Sequence, residues 1–139
     1  MTIINRQIKI ETKGKNDIVD LTSDISSNVK DSHVISGIVT IFISGSTAAI
    51  TTIEYEPNLI ADFKKFWARI VPLNIQYQHD STWPEGNGHS HIRASLLGAS
   101  LTVPFQNKNL VLGTWQQIVL VDFDIRPRSR EVTVQIMGE

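Results

Sequence analysis

Two stretches of this chain are apolar on both of the faces a strand would present, Gly37–Ser44 (GIVTIFIS) and Leu110–Asp124 (LVLGTWQQIVLVDFD). A strand with one face in water alternates apolar with polar residues, so a doubly apolar run must be covered on both sides. Few helical patterns are on hand to cover them. The runs therefore predict two sheets packed face to face, with a subunit interface over one of them.

The other segments fit around those strands. Ile3–Thr12 alternates as a half-buried strand, and Gly14–Asp17 reads as a turn. Asp20 or Thr22 caps a short helix reaching Lys30, with Leu21, Ile25 and Val29 at helical spacing. A small polar turn, Ser44–Thr47, leads into a strand over Ala49–Glu56. Pro57 opens a helix over Asn58–Val71, whose Leu59, Phe63, Phe66, Trp67 and Ile70 form a core-facing stripe ended by Pro72. Leu73–His79 alternates as a strand, and Asp80–Gly88 is a Gly/Pro-broken loop. Asn87 then caps a helix from His89 to Leu97 with Ile92, Leu96 and Leu97 on its apolar side. Ser100–Gln106 is a strand with a hairpin turn at Asn107–Asn109. The long apolar run bends at Gly113, and Glu131–Met137 closes the chain as a strand. The expected class is α+β: mainly antiparallel, β-sandwich-like sheets with two or three helices, in one domain spanning residues 1–139.

Composition narrows the function. A net charge of -1 over 139 residues, with neither a basic tail nor a basic stripe, argues against nucleic acid and acidic membranes as partners. No cysteine is present, so disulfides, thiolate metal sites and cysteine nucleophiles are excluded. No apolar run approaches the roughly 20 residues of a membrane span, and the N-terminal residues lack a signal-type apolar core. A cytoplasmic protein is expected.

Three of the four histidines, His79, His89 and His91, fall within one short stretch around the Asp80–Gly88 loop. Imidazole suits both metal ligation and proton transfer near neutral pH. Three imidazoles favour zinc, whereas magnesium, the alternative divalent metal, prefers oxygens. His89 and His91 are two apart and do not share a face on a regular helix. The alternative set is His79 plus His91 with a third ligand from elsewhere, and the structural alternative is a capping His89 beside a satisfied His79. Glu54, in a strand otherwise of Ile, Thr and Tyr, and Asp80, next to His79, are the candidate catalytic or orienting carboxylates. Arg126, Arg128 and Arg130 alternate, so an extended chain puts their forks on one side, where they either bind phosphate or carboxylate or form a solvated corner or intersubunit salt bridges. Ser46 and Thr47 offer a turn to an anion, and Trp115 with Gln116 would line a pocket or an interface.

The blocks NGHSHIRASLLGASLTVP, LVLGTWQQIVLVDFD, RPRSR and SGSTAAITTIEYEP together resemble the YjbQ-like family over nearly the whole chain. The resemblance implies a compact β-sandwich-type domain that forms homotrimers with a metal-containing cleft near the subunit boundaries. His79 and His91 match the family's histidines, while His89 falls where relatives vary. Many relatives carry a histidine where this chain has Gly45 or Ser46. The activity attached to the family, thiamine-phosphate synthesis, implies an enzyme acting on small phosphorylated molecules. The competing reading is a non-catalytic homotrimeric metal- or ligand-binding protein.

Overall fold

The computed structural model of the chain describes residues 1–139 and is α+β with two antiparallel sheets. The strands are β1 (Thr2–Thr12), β2 (Asp17–Asp20), β3 (Gly37–Ile43), β4 (Ala48–Ile53), β5 (Ser100–Gln106), β6 (Asn109–Leu110), β7 (Gln117–Asp122) and β8 (Arg128–Gly138). The helices are α1 (Thr22–Lys30), α2 (Pro57–Ile70), α3 (His79–Thr82) and α4 (Gly88–Leu97). Four helices therefore replace the expected two or three, although α3 is a single turn. One sheet runs in the order β1-β8-β3-β5-β6, the other β2-β7-β4. No helix is long and apolar enough to cross a membrane.

The two doubly apolar runs are resolved differently. Successive side chains of a strand face opposite ways. In β7, Ile118 and Leu120 enter the core between the sheets, while Val119 and Val121 enter a second core against Trp67, Val71 and Ala94 of the helical layer. Helices thus cover the outer face of the smaller sheet. In β3, Val39, Ile41 and Ile43 join the inter-sheet core, but Ile38 and Phe42 stay on the open outer face of the larger sheet, 40% and 44% exposed. Helix α1 inserts Ile25 and Val29 between the sheets together with its N-cap residue Leu21, which takes the place expected of Asp20 or Thr22 and makes no side-chain cap hydrogen bond.

Several local expectations change. The run Leu110–Asp124 is not one bent strand. Its first residues pair with β5, residues 111–116 cross over, and β7 joins the other sheet. The Gln116 side chain accepts from the Gly113 N–H at 3.0 Å and closes that crossover. Leu73–His79 is irregular rather than a strand. The Tyr77 hydroxyl donates to the Pro72 carbonyl at 2.5 Å, folding the segment back, and His79 begins α3. Glu56, not Pro57 alone, starts α2, since its carboxylate accepts from the N–H groups of Asn58 and Leu59. On α2 only Trp67 is fully buried, packed edge to face on Phe123 at 4.9 Å between ring centres, whereas Phe66 and Ile70 remain about half exposed.

Helix α4 departs furthest. Two of the three residues expected on its apolar side are outside, Ile92 at 43% and Leu96 at 63% exposed, while Leu97 packs against the second core. The buried side is His89, Ser90, Arg93 and Ala94. A buried polar group needs partners. Arg93 donates to the carbonyls of Val71 and Trp67, capping the end of α2 from a distance, and to the Asn16 side chain at 2.9 Å. The Ser90 hydroxyl donates to the Phe123 carbonyl at 2.5 Å. These bonds outrank apolar periodicity in setting the helix's rotation.

The turn between β1 and β2 is tightly built. Gly14, Lys15 and Asn16 all have positive φ, at 73°, 55° and 65°. The Lys15 and Asn16 N–H groups donate to the carbonyls of Asp124 and Asp122. A Cβ on Gly14 would collide with the Arg126 carbonyl oxygen. Gly14→Ala is expected to destabilise the fold by more than about 1 kcal/mol, since the residue needs positive φ and the neighbour is backbone. Urea denaturation checks this. A loss within about 0.5 kcal/mol, typical of surface changes, would contradict it.

Candidate functional site

The site lies where the inward rows of the sandwich stop being apolar. Along β7 and beyond, the row Ile118, Leu120 continues as Asp122, Asp124; along β8, Ile136, Val134 and Val132 give way to Arg130 and Arg128. The inward face of β1 ends the same way, Ile8 and Ile10 followed by buried Thr12. Charges placed at the end of a core need partners, and here they have each other. Arg130 grips Asp122 through Nε at 2.8 Å and Nη2 at 2.9 Å, while the Thr12 hydroxyl donates to the same carboxylate at 2.5 Å. Arg128 grips Asp124 through Nε at 2.9 Å and Nη2 at 2.8 Å. The Thr47 hydroxyl donates to Asp124 at 2.9 Å and accepts from Arg130 Nη2 at 2.7 Å, joining the two pairs.

Above this network opens a pocket of about 480 Å³, within the range of small-molecule sites. Gly45, Ser46 and Thr47 form one wall, His79, Trp83, Glu85, Asn87 and His91 the other, and Asp124, Arg128 and Arg130 the base. Arg130 Nη1 makes no hydrogen bond within the chain and lies beside Gly45: a Cβ there would sit 2.8 Å from it. Glycine at this turn therefore leaves one N–H edge of the guanidinium available to a ligand.

Of the three clustered histidines, two meet. His79 and His91 stand edge to face with ring centres 4.6 Å apart, both lining the pocket. His89 is buried on the other side of α4, its Nε2 3.3 Å from the Ser90 hydroxyl and its ring 6.3 Å from that of Tyr77. No group of three histidine, aspartate or glutamate side chains is arranged to hold a metal ion. Asp80 turns away from His79 and accepts from the Gly88 N–H at 2.9 Å, serving the start of α4. Asn87 does not cap α4 with its side chain; that amide faces Asp124 at 3.5 Å. Glu54 is exposed beyond the end of β4 and does not line the pocket. Arg128 and Arg130 reach the pocket, while Arg126, which precedes β8, is exposed outside it. Ser46 and Thr47 line it. Trp115, 72% exposed, and Gln116, whose amide donates to Thr52, lie on the crossover before β7, at the opposite end of that strand from Asp122.

Sequence reasoning passed over Asp122, Asp124, Asn87, Glu85 and Trp83. The signal for the aspartates was present: VDFD alternates at the end of an apolar strand, as RSR does at the start of another, and both put charge on the inward row.

Burial alone would raise the Asp124 carboxyl, but the Ile125 N–H, the Thr47 hydroxyl and Arg128 outweigh it and hold the group below its ordinary range. Burial lowers His91, and the neighbouring His79 adds to the effect. Burial also lowers His89, helped by Arg93. Both imidazoles favour the neutral form when folded. The unfolded chain therefore takes up protons near the ordinary 6.5 that the folded chain refuses. Stability should fall as pH drops through about 6.5 toward the depressed values. Melting temperatures at pH 7.5 and 5.5 check this, with a smaller drop in His91→Gln; equal values for the unaltered protein at both pH values would contradict it.

The comparisons agree with this architecture. The family model described as "UPF0047 protein YjbQ-like" matches residues 6–139. A UPF0047 protein of Methanothermobacter thermautotrophicus is 34% identical over 139 residues, covering 100% of this chain and 95% of the relative. The UPF0047 protein MJ1081 of Methanocaldococcus jannaschii is 36% identical over 132 residues, 94% of this chain and 92% of that one. Among solved structures, a YbjQ-like protein of unknown function from Sulfolobus solfataricus superposes with a TM-score of 0.94 at 33% identity, covering 99% of both chains. An uncharacterized yjbq/upf0047 family protein from Clostridium acetobutylicum gives a TM-score of 0.87 at 34% identity, covering 95% of this chain and 99% of that one. A match to the family model over residues 6–139, with relatives 34% and 36% identical over 95% and 92% of their own lengths, places this chain in the YjbQ-like UPF0047 family.

Proposed function

We propose that this chain is a cytoplasmic enzyme acting on a small phosphorylated metabolite, with the anion bound at Arg130, Arg128, Ser46 and Thr47 and with His91 moving a proton beside it. The observation that carries the reading is the meeting, in one pocket, of an arginine with a free N–H edge and an imidazole whose neutral form is favoured by burial. A neutral imidazole can accept a proton from a reacting group, and a guanidinium stabilises the negative charge that develops. His79 faces His91 and would orient it or relay its proton.

The base of the pocket is close to electrically neutral, because Arg128 and Arg130 are matched by Asp124 and Asp122. Attraction for an anion then rests on directed N–H groups rather than on net charge. That favours a compact phosphate over a polyanion. The reaction attached to the family resemblance is formation of thiamine phosphate with loss of pyrophosphate. It fits this arrangement in part: the free N–H edge of Arg130 would hold one phosphate group, while the pyrophosphate leaving group is a polyanion that a near-neutral base favours less.

A second reading is favoured by the His79–His91 pair itself. Two imidazoles 4.6 Å apart supply two ligands of a zinc-like site, short of the three protein ligands usual in catalytic zinc. Such an ion, or a magnesium ion, would complete its coordination with ligand oxygens, and the protein would then be a metal-dependent enzyme or a metal-dependent binding protein. A homotrimer is part of both readings, supported by the exposed apolar residues on β3, α2 and α4.

The test is calorimetric titration with inorganic phosphate, with and without zinc, on protein purified without a histidine tag. Gly45→Ala would put a Cβ 2.8 Å from Arg130 Nη1, so the added methyl either covers that N–H edge or tilts the planar guanidinium as a whole against Asp122, and both outcomes weaken the anion site. Loss of one charge-assisted hydrogen bond of about 1.5–3 kcal/mol corresponds to roughly ten- to hundredfold weaker binding. Unchanged phosphate affinity in Gly45→Ala would contradict the anion site. If metal is held by the histidine pair, His91→Ala should lose it while remaining a folded trimer. Stoichiometric metal retained in that variant would remove His91 from the ligand set.

A further inference from the structure

A second cavity of about 430 Å³ adjoins the first and shares Gly45, Ser46 and His91 with it. Its remaining walls are Ala48, Ala94, Ser95, Gly98 and Ala99. Apart from His91, no side chain in it is longer than serine, and none carries a charge. The contrast with the first pocket is chemical: one compartment is lined by two arginines, two carboxylates and an imidazole pair, the other by methyl groups, backbone and two hydroxyls.

The walls of this slot are fixed by the fold. Ala48 and Ala94 are nearly inaccessible, at 2% and 6%, one on β4 and the other on the buried side of α4. The connection Gly98–Ala99 is tied to both sheets, because its carbonyls accept from the N–H groups of Ile50 at 3.0 Å and Ile43 at 2.9 Å. Gly98 has φ of 101°, and a Cβ built on it would meet nothing within 4 Å. The space over Gly98 is therefore open, and its walls cannot collapse into it without breaking sheet-anchored hydrogen bonds.

We infer that the pocket and the slot form one bipartite site for a phosphate monoester whose uncharged, weakly polar body lies in the slot, with His91 and Ser46 at the junction of head and body. The inference rests on the anion site proposed above and extends it by assigning the non-ionic half of the ligand. An apolar body gains affinity in such a slot because its surface leaves water against apolar walls. A charged body would gain nothing there, since no opposite charge faces it. Position at the junction also places the His91 imidazole next to the ester oxygen joining the two halves, the atom at which a proton would be given or taken.

The experiment is calorimetry at one salt concentration with two probes, inorganic phosphate and phenyl phosphate, on the unaltered protein and on Ser95→Leu and Trp83→Ala. Ser95 is exposed on α4, so leucine there narrows the slot without disturbing the core. The expected result is phenyl phosphate binding at least tenfold tighter than inorganic phosphate, with that advantage lost in Ser95→Leu and kept in Trp83→Ala. Equal affinities for the two probes on the unaltered protein would overturn the bipartite site while leaving the anion site standing. An advantage that survives Ser95→Leu and disappears in Trp83→Ala would put the body against Trp83 and also overturn it. Binding of neither probe would overturn the anion site, and the bipartite site with it.

Discussion

The two aspartate–arginine pairs at the end of the sandwich are the constraint on which the rest depends. Asp122 and Asp124 are buried, at 0% and 1% exposure, and a buried carboxylate without a partner is strongly destabilising. Their arginines come from β8, the hydroxyl that bridges them from the turn before β4, and the N–H groups that hold their carbonyls from the turn between β1 and β2. Four separate parts of the chain therefore converge on one ionic cluster. Once that cluster is assembled, the positions of Gly45, Ser46 and Thr47 relative to Arg130 follow. Such pairs contribute little net stability compared with a well-packed apolar core. Their persistence at the base of a pocket is better explained by what they position.

Helix α4 carries the other half of the pocket and is rotated by its polar residues. Arg93 binds the last carbonyls of α2 and the side chain of Asn16, and Ser90 binds Phe123. Those bonds turn His91 toward the pocket and His89 away from it. They also turn Ile92 and Leu96 outward. Placement of one imidazole and exposure of an apolar stripe are thus consequences of the same rotation.

Much of this was legible in the sequence, and the failures have physical causes. Strands β1, β3, β5 and β8 and helices α1 and α2 follow from the period of their apolar residues, though the helix N-caps Leu21 and Glu56 do not, and the face-to-face sheets follow from the doubly apolar runs. His79, His91, Arg128, Arg130, Ser46 and Thr47 were identified as residues and are brought together. The rotation of α4 was not legible, because apolar periodicity says nothing about a buried arginine whose partners are backbone carbonyls far away in sequence. Asp80 and Asn87 exchanged expected roles for the same reason: a local capping pattern lost to a carboxylate and an amide with better-placed partners. The slot beside the pocket is lined by glycine, alanine and serine. Such residues leave no sequence signal until the fold sets them around a space.

The central claim is that His79 and His91, and not His89, face a bound anion. Side-chain ¹H–¹⁵N correlation spectra of the histidines, recorded as inorganic phosphate is added, test it most directly. The account predicts that the His79 and His91 resonances move together and saturate while those of His89 stay in place. Movement at His89 with His91 unaffected would contradict it, as would no change at any histidine.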